Sequence, residues 1–242
     1  MGSRTRNSLR IGPRLPVTFA RMNLAAHIDH TLLRPDCTEA QIRQLCQEAA
    51  AHGFASACVP PCYVALAAAL LEDSRAAVCT VIGFPLGYST SLVKFREAEV
   101  ALADGALELD LVMNISALKS GQAARVQAEI QDLADLAHVH DALLKVIIET
   151  ALLDAAEIEQ ACGLCAAAGA DYVKTSTGFA SRGASFEDVR LMRRVLPAHV
   201  KIKAAGGVCS RAAALALVEA GADRIGSSNS LALIADDENP TA

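Results

Sequence analysis

The sequence predicts an α/β fold, a single closed (β/α)8 TIM barrel, and three observations carry that expectation. Eight short, β-branched apolar runs alternate with longer alanine-rich stretches of helical period. The runs centre near Ile28, Cys58, Val81, Leu109, Val146, Val173, Ile202 and Ile225, about 23 to 37 residues apart, which suits one strand-helix unit per interval. The chain has 242 residues, close to the roughly 250 typical of one such barrel.

The first 21 residues carry Arg4, Arg6, Arg10, Arg14 and Arg21 with no acid and no apolar periodicity. Residues 1–22 therefore read as a disordered N-terminal extension (a cloning scar, a start upstream of Met22 or a crude transit-like segment), and 23–242 as the barrel domain. From Leu24 onward each helix-to-strand junction is punctuated. Gly53, Gly105, Gly169 and Gly221 follow helical stretches and suit the left-handed residue that ends a helix. At helix starts, Thr38 with Gln41, Asp154 with Glu157 and Ser185 with Asp188 have the spacing of capping boxes.

Composition narrows the function. Hydrophobic residues make up 52% of the chain, enough for a sizeable core, and formal net charge is −5 with no basic stripe, which argues against nucleic acid as a partner. No run reaches the roughly 18 apolar residues of a membrane span, and no signal-peptide pattern is present, so a cytoplasmic protein is expected. Eight cysteines, several inside apolar runs, read as buried hydrophobes of a reducing compartment. Cys162 and Cys165 form a Cys-x-x-Cys pair, but it lies mid-helix without a second ligand pair, so no metal is expected there.

The anomaly is where the lysines fall. Lys145, Lys174, Lys201 and Lys203 all lie within predicted strands, although the chain has only two others, Lys94 and Lys119. Side chains alternate along a barrel strand between the helices and the interior. Leu107, Leu109, Leu111 and Met113 then face helices, whereas Glu108, Asp110 and Asn114 face inward. Lys145 and Glu149, Lys174 and Ser176, and Lys201 and Lys203 join that inner face. Burying several ammonium groups costs several kcal/mol per ion unless partners compensate, which asks for a functional reason. A structural salt-bridge network, or lysines snorkelling to water, is the competing reading, strongest for Lys145 or Lys201 alone.

Lys174 and Lys203 sit at matching depth on adjacent strands near their C-terminal ends, where barrel active sites form. Like charge and desolvation both push a lysine pKa down from about 10.4, which favours a neutral amine able to attack an aldehyde. Asp110, two strands away, is placed to shuttle protons through a water. Past the last strands stand Gly178, Gly206, Gly207, Ser227 and Ser228, where barrels often bind phosphate on backbone N–H groups and a helix N-terminus.

From about Ile28 to Ser230 the chain resembles the deoxyribose-phosphate aldolases. The resemblance rests on Ile28-Asp29-His30-Thr31-Leu32-Leu33, Gly83-Phe84-Pro85-Leu86-Gly87, Glu108-Leu109-Asp110, and Leu144-Lys145-Val146-Ile147-Ile148-Glu149-Thr150. It rests further on Tyr172-Val173-Lys174-Thr175-Ser176-Thr177-Gly178-Phe179 and Lys203-Ala204-Ala205-Gly206-Gly207. It implies reversible cleavage of 2-deoxyribose 5-phosphate to acetaldehyde and glyceraldehyde 3-phosphate, without metal or organic cofactor, by a homodimer or higher homo-oligomer. By the same resemblance Lys174 forms the imine, Lys203 lowers its pKa, Asp110 relays protons and Lys145 orders the charges. Gly178, Gly206, Gly207, Ser227 and Ser228 would hold the phosphate. Phe179 stands where one branch of the family has a second lysine, so phosphate affinity is expected to lean on Arg182. No tyrosine follows Tyr172, so enamine protonation would depend on Asp110 and water, and the closing helix reads as short. Another Schiff-base aldolase or transaldolase with a keto donor, or a sugar-phosphate-binding isomerase-like barrel, remains open.

Overall fold

In the computed structural model, which describes residues 22–235, eight parallel strands close into one barrel in sequence order. They are β1 (Ile28–Thr31), β2 (Ser56–Val59), β3 (Ala77–Ile82), β4 (Glu108–Val112), β5 (Leu143–Ile147), β6 (Tyr172–Lys174), β7 (Lys201–Ala205) and β8 (Arg224–Ser227). All eight sequence-predicted centres fall inside these strands. The readings of residues 1–21 and of the end of the chain past residue 235 lie outside the described residues.

The helices that cover the barrel are α1 (Glu39–His52), α2 (Val64–Leu71), α3 (Ser91–Ala103), α4 (Ile115–Lys119) and α5 (Ala123–Val139). They continue with α6 (Ala155–Ala167), α7 (Phe186–Val195), α8 (Arg211–Glu219) and α9 (Ser230–Ile234). Local chemistry sets their ends. Thr38 and Asp154 form complete capping boxes with Gln41 and Glu157. Ser185 accepts from the Asp188 N–H, but the Asp188 carboxylate is drawn to Arg182 instead. Gly53 ends α1 at φ +64°, a conformation that costs a side-chain-bearing residue about 1–2 kcal/mol.

One apolar core fills the space between strands and helices, including Leu109, Leu111, Val146, Val173, Ile202 and Ile225. Cys162 and Cys165 are buried in it, and burial pushes the Cys162 thiol up to about 12, a packing role rather than a redox one. A smaller cluster of Cys58, Cys79 and Val81 lies beside it, packed with Leu33 and Phe84.

The parity reading holds for the centres of the strands and fails at their ends. Leu107 precedes β4 and is half exposed rather than packed under a helix. Asn114 has left β4 and caps α4 by accepting from the Ala117 N–H. Glu149 and Ser176 lie just past β5 and β6 and are still buried. No helix among the described residues is long and apolar enough to cross a membrane.

Candidate active site

Register brings the charges together. Lys174, the last residue of β6, is paired with Lys203 on β7, and Asp110 on β4 is paired with Lys145 on β5. Because all four side chains point inward at similar depth, one carboxylate serves three ammonium groups. Asp110 Oδ2 accepts from Lys174 Nζ at 2.7 Å and from Lys203 Nζ at 2.7 Å, and its Oδ1 accepts from Lys145 Nζ at 2.8 Å. The Asp110–Lys174 contact is therefore direct, where a bridging water was expected.

A lower layer completes the network. Glu108 lies 2.6 Å from Lys145 Nζ, and Asp29 pairs with Lys203 at 2.5 Å and with Lys145 at 3.6 Å. Arg224 pairs with Asp29 and Glu108 from below. Cys79 donates to Asp110 Oδ1 at 3.4 Å and accepts from Lys145 Nζ at 3.2 Å. Lys201, by contrast, is exposed at the foot of β7 with its amine 5.5 Å above the Tyr172 ring, the snorkelling outcome.

Protonation follows from these contacts. Burial alone would raise the Asp110 carboxyl, but Lys145, Lys174 and Lys203 hold it well below the usual carboxylate range. Burial disfavours the Lys203 ammonium, yet Asp110 and Asp29 outweigh it and hold that group above the ordinary lysine range. Lys145 is likewise held high, against burial, mainly by Asp110. The expectation that neighbouring ammonium groups depress each other thus fails for Lys203 because carboxylates, invisible to a two-residue argument, lie closer to it than Lys174's charge can offset.

Above this layer opens a cavity of about 380 Å³ at the C-terminal mouth of the barrel. Of the buried amines among the described residues, only Lys174 lines it. Asp110, Lys203 and Lys145 lie beneath. Its wall includes Gly178, Gly206, Gly207, Ser227 and Ser228, with Thr177, Asn229 and Arg34. Gly178, Gly206 and Gly207 have φ of +89°, +87° and +73°, left-handed backbone that glycine adopts without a side-chain penalty, and all three line the cavity.

Two details of that wall differ from expectation. The Ser227 hydroxyl donates to the Val208 carbonyl and accepts from the Asn229 N–H, so it ties the loop after β7 to the loop after β8. Arg182 is not in the wall; it pairs with Asp188 at 2.5 Å and donates to the Thr150 carbonyl at 2.9 Å, bracing the loop before α7. Phe179 lines the cavity and packs edge-on against Phe84 at 5.3 Å between centroids, closing one side of the mouth.

Several contributors escaped sequence reasoning. Asp29 lies within a quoted motif and Glu108 beside Asp110, but their charge pairing needs the barrel to close. Gly183 packs backbone to backbone on Gly206, so closely that a Cβ there would meet the Gly206 carbonyl oxygen at 2.0 Å. His30 is buried, holds Glu48 at 2.8 Å and contacts the Ser230 hydroxyl at 2.9 Å, and Ser230 in turn donates to the Ser227 carbonyl. This chain of contacts anchors the loop after β8 from outside the barrel.

Comparison with known proteins gives a consistent result. The DeoC/LacD family aldolase model matches residues 24–232. The deoxyribose-phosphate aldolase of Shouchella clausii is 54% identical over 213 residues, covering 88% of this chain and 95% of that protein. That of Brevibacillus brevis is 50% identical over 213 residues, covering 88% and 96%. Among solved structures, the tetrameric deoxyribose phosphate aldolase from Aeropyrum pernix superposes with a TM-score of 0.84 at 36% identity, covering 90% of this chain and 92% of the other.

Proposed function

The chain belongs to the DeoC/LacD aldolase family, and on that premise we propose that it cleaves 2-deoxyribose 5-phosphate reversibly to acetaldehyde and glyceraldehyde 3-phosphate, with Lys174 as the Schiff-base residue. The observation that carries the reading is the position of Lys174, whose amine, alone of the buried ones among the described residues, opens on the cavity while held at 2.7 Å by a buried carboxylate.

Chemistry follows from that placement. The free amine attacks the C1 aldehyde, and the carbinolamine loses water to give a protonated imine. The imine withdraws electrons as the C3 hydroxyl gives up its proton and the C2–C3 bond breaks. Glyceraldehyde 3-phosphate leaves, and an enamine remains on Lys174. Protonation at C2 and hydrolysis then release acetaldehyde and regenerate the amine. Asp110 fixes the amine through its short hydrogen bond and passes protons between Lys174 and solvent in the cavity, Lys203 and Lys145 holding it ionised between transfers. The glycine-built wall, which shares the cavity with Lys174, offers backbone N–H groups to the 5-phosphate.

The reaction belongs to deoxyribonucleotide and carbohydrate breakdown and needs only small-molecule partners. A homo-oligomer in the cytoplasm is the state we propose, supported by the tetrameric relative from Aeropyrum pernix. Acetaldehyde with borohydride tests the assignment, because reduction of the imine leaves an ethyl group fixed on the amine. Peptide mapping should find it at Lys174 and nowhere in Lys174→Arg; label on a peptide lacking Lys174 would refute the reading. Acetaldehyde outcompeting dihydroxyacetone as donor separates it from a keto-donor aldolase.

A further inference from the structure

Arg224 stands at the foot of β8, outside every motif that marks the site, and is not among the residues that line the cavity. Its Nη1 donates to Asp29 Oδ1 at 2.5 Å and its Nη2 to Glu108 Oε1 at 3.3 Å and to the Tyr172 hydroxyl at 3.4 Å. Asp29 Oδ2 faces Lys203, and Glu108 Oε2 faces Lys145 while also accepting from Arg224 Nη1 at 3.5 Å. Arg224 thus competes for the same anions that would otherwise belong wholly to the lysines.

Within the ion-pair network formal charges do not balance; Glu149, buried just past β5, lies outside that network, its carboxylate accepting from the Thr177 N–H and hydroxyl. Lys145, Lys174, Lys203 and Arg224 face Asp29, Glu108 and Asp110, four cations to three carboxylates. A buried excess charge is costly, and the cheapest relief is the loss of one proton. Arg224 cannot supply it, since a guanidinium stays charged in proteins. Lys145 contacts three carboxylates and Lys203 two, whereas Lys174 contacts Asp110 alone and is the amine that meets the cavity. Two thiols complete the surroundings. Burial pushes the Cys79 thiol well up and keeps it neutral, while the Cys79 hydrogen bond draws the neighbouring Cys58 thiol down. Lys201 reaches the network only across the Tyr172 ring.

We propose that Arg224 is a positioning residue of the aldolase centre: by occupying Asp29 and Glu108 it leaves the amines one carboxylate short, and Lys174 is the group that gives up its proton. The inference rests on the assignment of Lys174 as the imine-forming residue. Register sets Lys174 beside Lys203 and Lys203 beside Arg224, two strand spacings or about 10 Å. At that separation, with an effective dielectric of ~20, one charge moves a titration by roughly one pH unit.

The test is the pH dependence of kcat/KM for cleavage of 2-deoxyribose 5-phosphate. In Arg224→Gln the acid limb should move up by roughly one pH unit, since removing a cation lets Lys174 keep its proton. Arg224→Lys should hold the limb near its original position. Glu108→Gln, which removes an anion, should move it the other way, and the double variant Arg224→Gln with Glu108→Gln should bring it back. These last two keep the question answerable should Arg224→Gln alone fail to fold, as judged by circular dichroism. An unmoved limb in Arg224→Gln, a Glu108→Gln limb that moves upward or not at all, or a double variant that does not return would overturn the inference. Borohydride labelling of the wild-type enzyme separates the two layers of the argument: absent label at Lys174 sinks the aldolase assignment, whereas label with unmoved profiles sinks only the role of Arg224.

Discussion

Replacing Asp110 by Asn keeps the shape of the site and removes the one anion that three ammonium groups share. Asp110 is fully buried, and each of its hydrogen bonds to Lys145, Lys174 and Lys203 is 2.7–2.8 Å long, so the variant strands charge that no solvent reaches. Removing one partner of a buried ion pair typically costs about 3–5 kcal/mol, which in a domain of this size lowers Tm by roughly 6–20 °C. The loss should depend on pH in a defined way. In the wild type, Lys145 and Lys203 titrate above their unfolded value of about 10.4, so their contribution is fully present below that pH and is lost as pH rises through the folded value. The Asp110 carboxylate, held low by the same ammonium groups, contributes above about pH 3.9 and is lost as pH falls through its folded value. In Asp110→Asn burial goes unopposed by that anion, the folded lysines bind fewer protons than the unfolded chain, and stability should rise between about pH 7 and 10. Urea melts of both proteins across that range should therefore converge, with aldol cleavage reduced at least ~10²-fold throughout. A stability gap that stays constant from pH 7 to 10, or one under about 1 kcal/mol at pH 7, would refute the shared-anion account.

Other variants probe separate parts of the site. Lys203→Leu should reduce kcat by ~10²-fold or more while the fold persists, since Asp29 keeps Arg224 and Asp110 keeps Lys145 and Lys174; an acid limb of the rate profile identical to wild type would count against the amine pairing. Gly183→Ala should raise KM for 2-deoxyribose 5-phosphate about tenfold, through displacement of Gly206 worth ~1.4 kcal/mol of phosphate binding. Cleavage of unphosphorylated 2-deoxyribose should change little in that variant, and equal losses on both substrates would remove Gly206 from the phosphate wall. Burial holds the His30 imidazole below its ordinary pKa, so the folded protein binds fewer protons there than the unfolded chain and loses stability as pH drops below about 6.5. His30→Gln should flatten that dependence, measured as the difference between urea midpoints at pH 5 and 7.5; an unchanged slope would show that His30 is not its source.

The barrel was legible because its information is periodic and local. Apolar runs near Ile28 through Ile225 mark strands whatever they later pair with, and Thr38, Asp154 and Gly53 fix helix ends through contacts within a turn. Parity alone turned Asp110, Lys145, Lys174 and Lys203 inward, and the lysine anomaly singled them out. Strand ends were less legible, as Leu107, Asn114 and Glu149 show, because where a strand stops depends on the loop that leaves it.

Only the closed sheet decided who touches whom. Asp29 and Arg224 are nearly two hundred residues apart and meet because β1 pairs with β8, and that closure also brings Asp29 to Lys203. Charge on an amine is the sum over every neighbour at a few ångströms, so a reading that weighed the two lysines against each other missed that Asp110, which it had turned inward, and Asp29 hold Lys203 above the ordinary lysine range. Arg182 fell to the same limit: its sequence neighbours place it near the phosphate wall, and its tertiary partners, Asp188 and the Thr150 carbonyl, turn it away. Residue types and their alternation settled which groups enter the barrel; three-dimensional proximity, which Coulomb's law weighs and sequence distance does not, settled their protonation and partners.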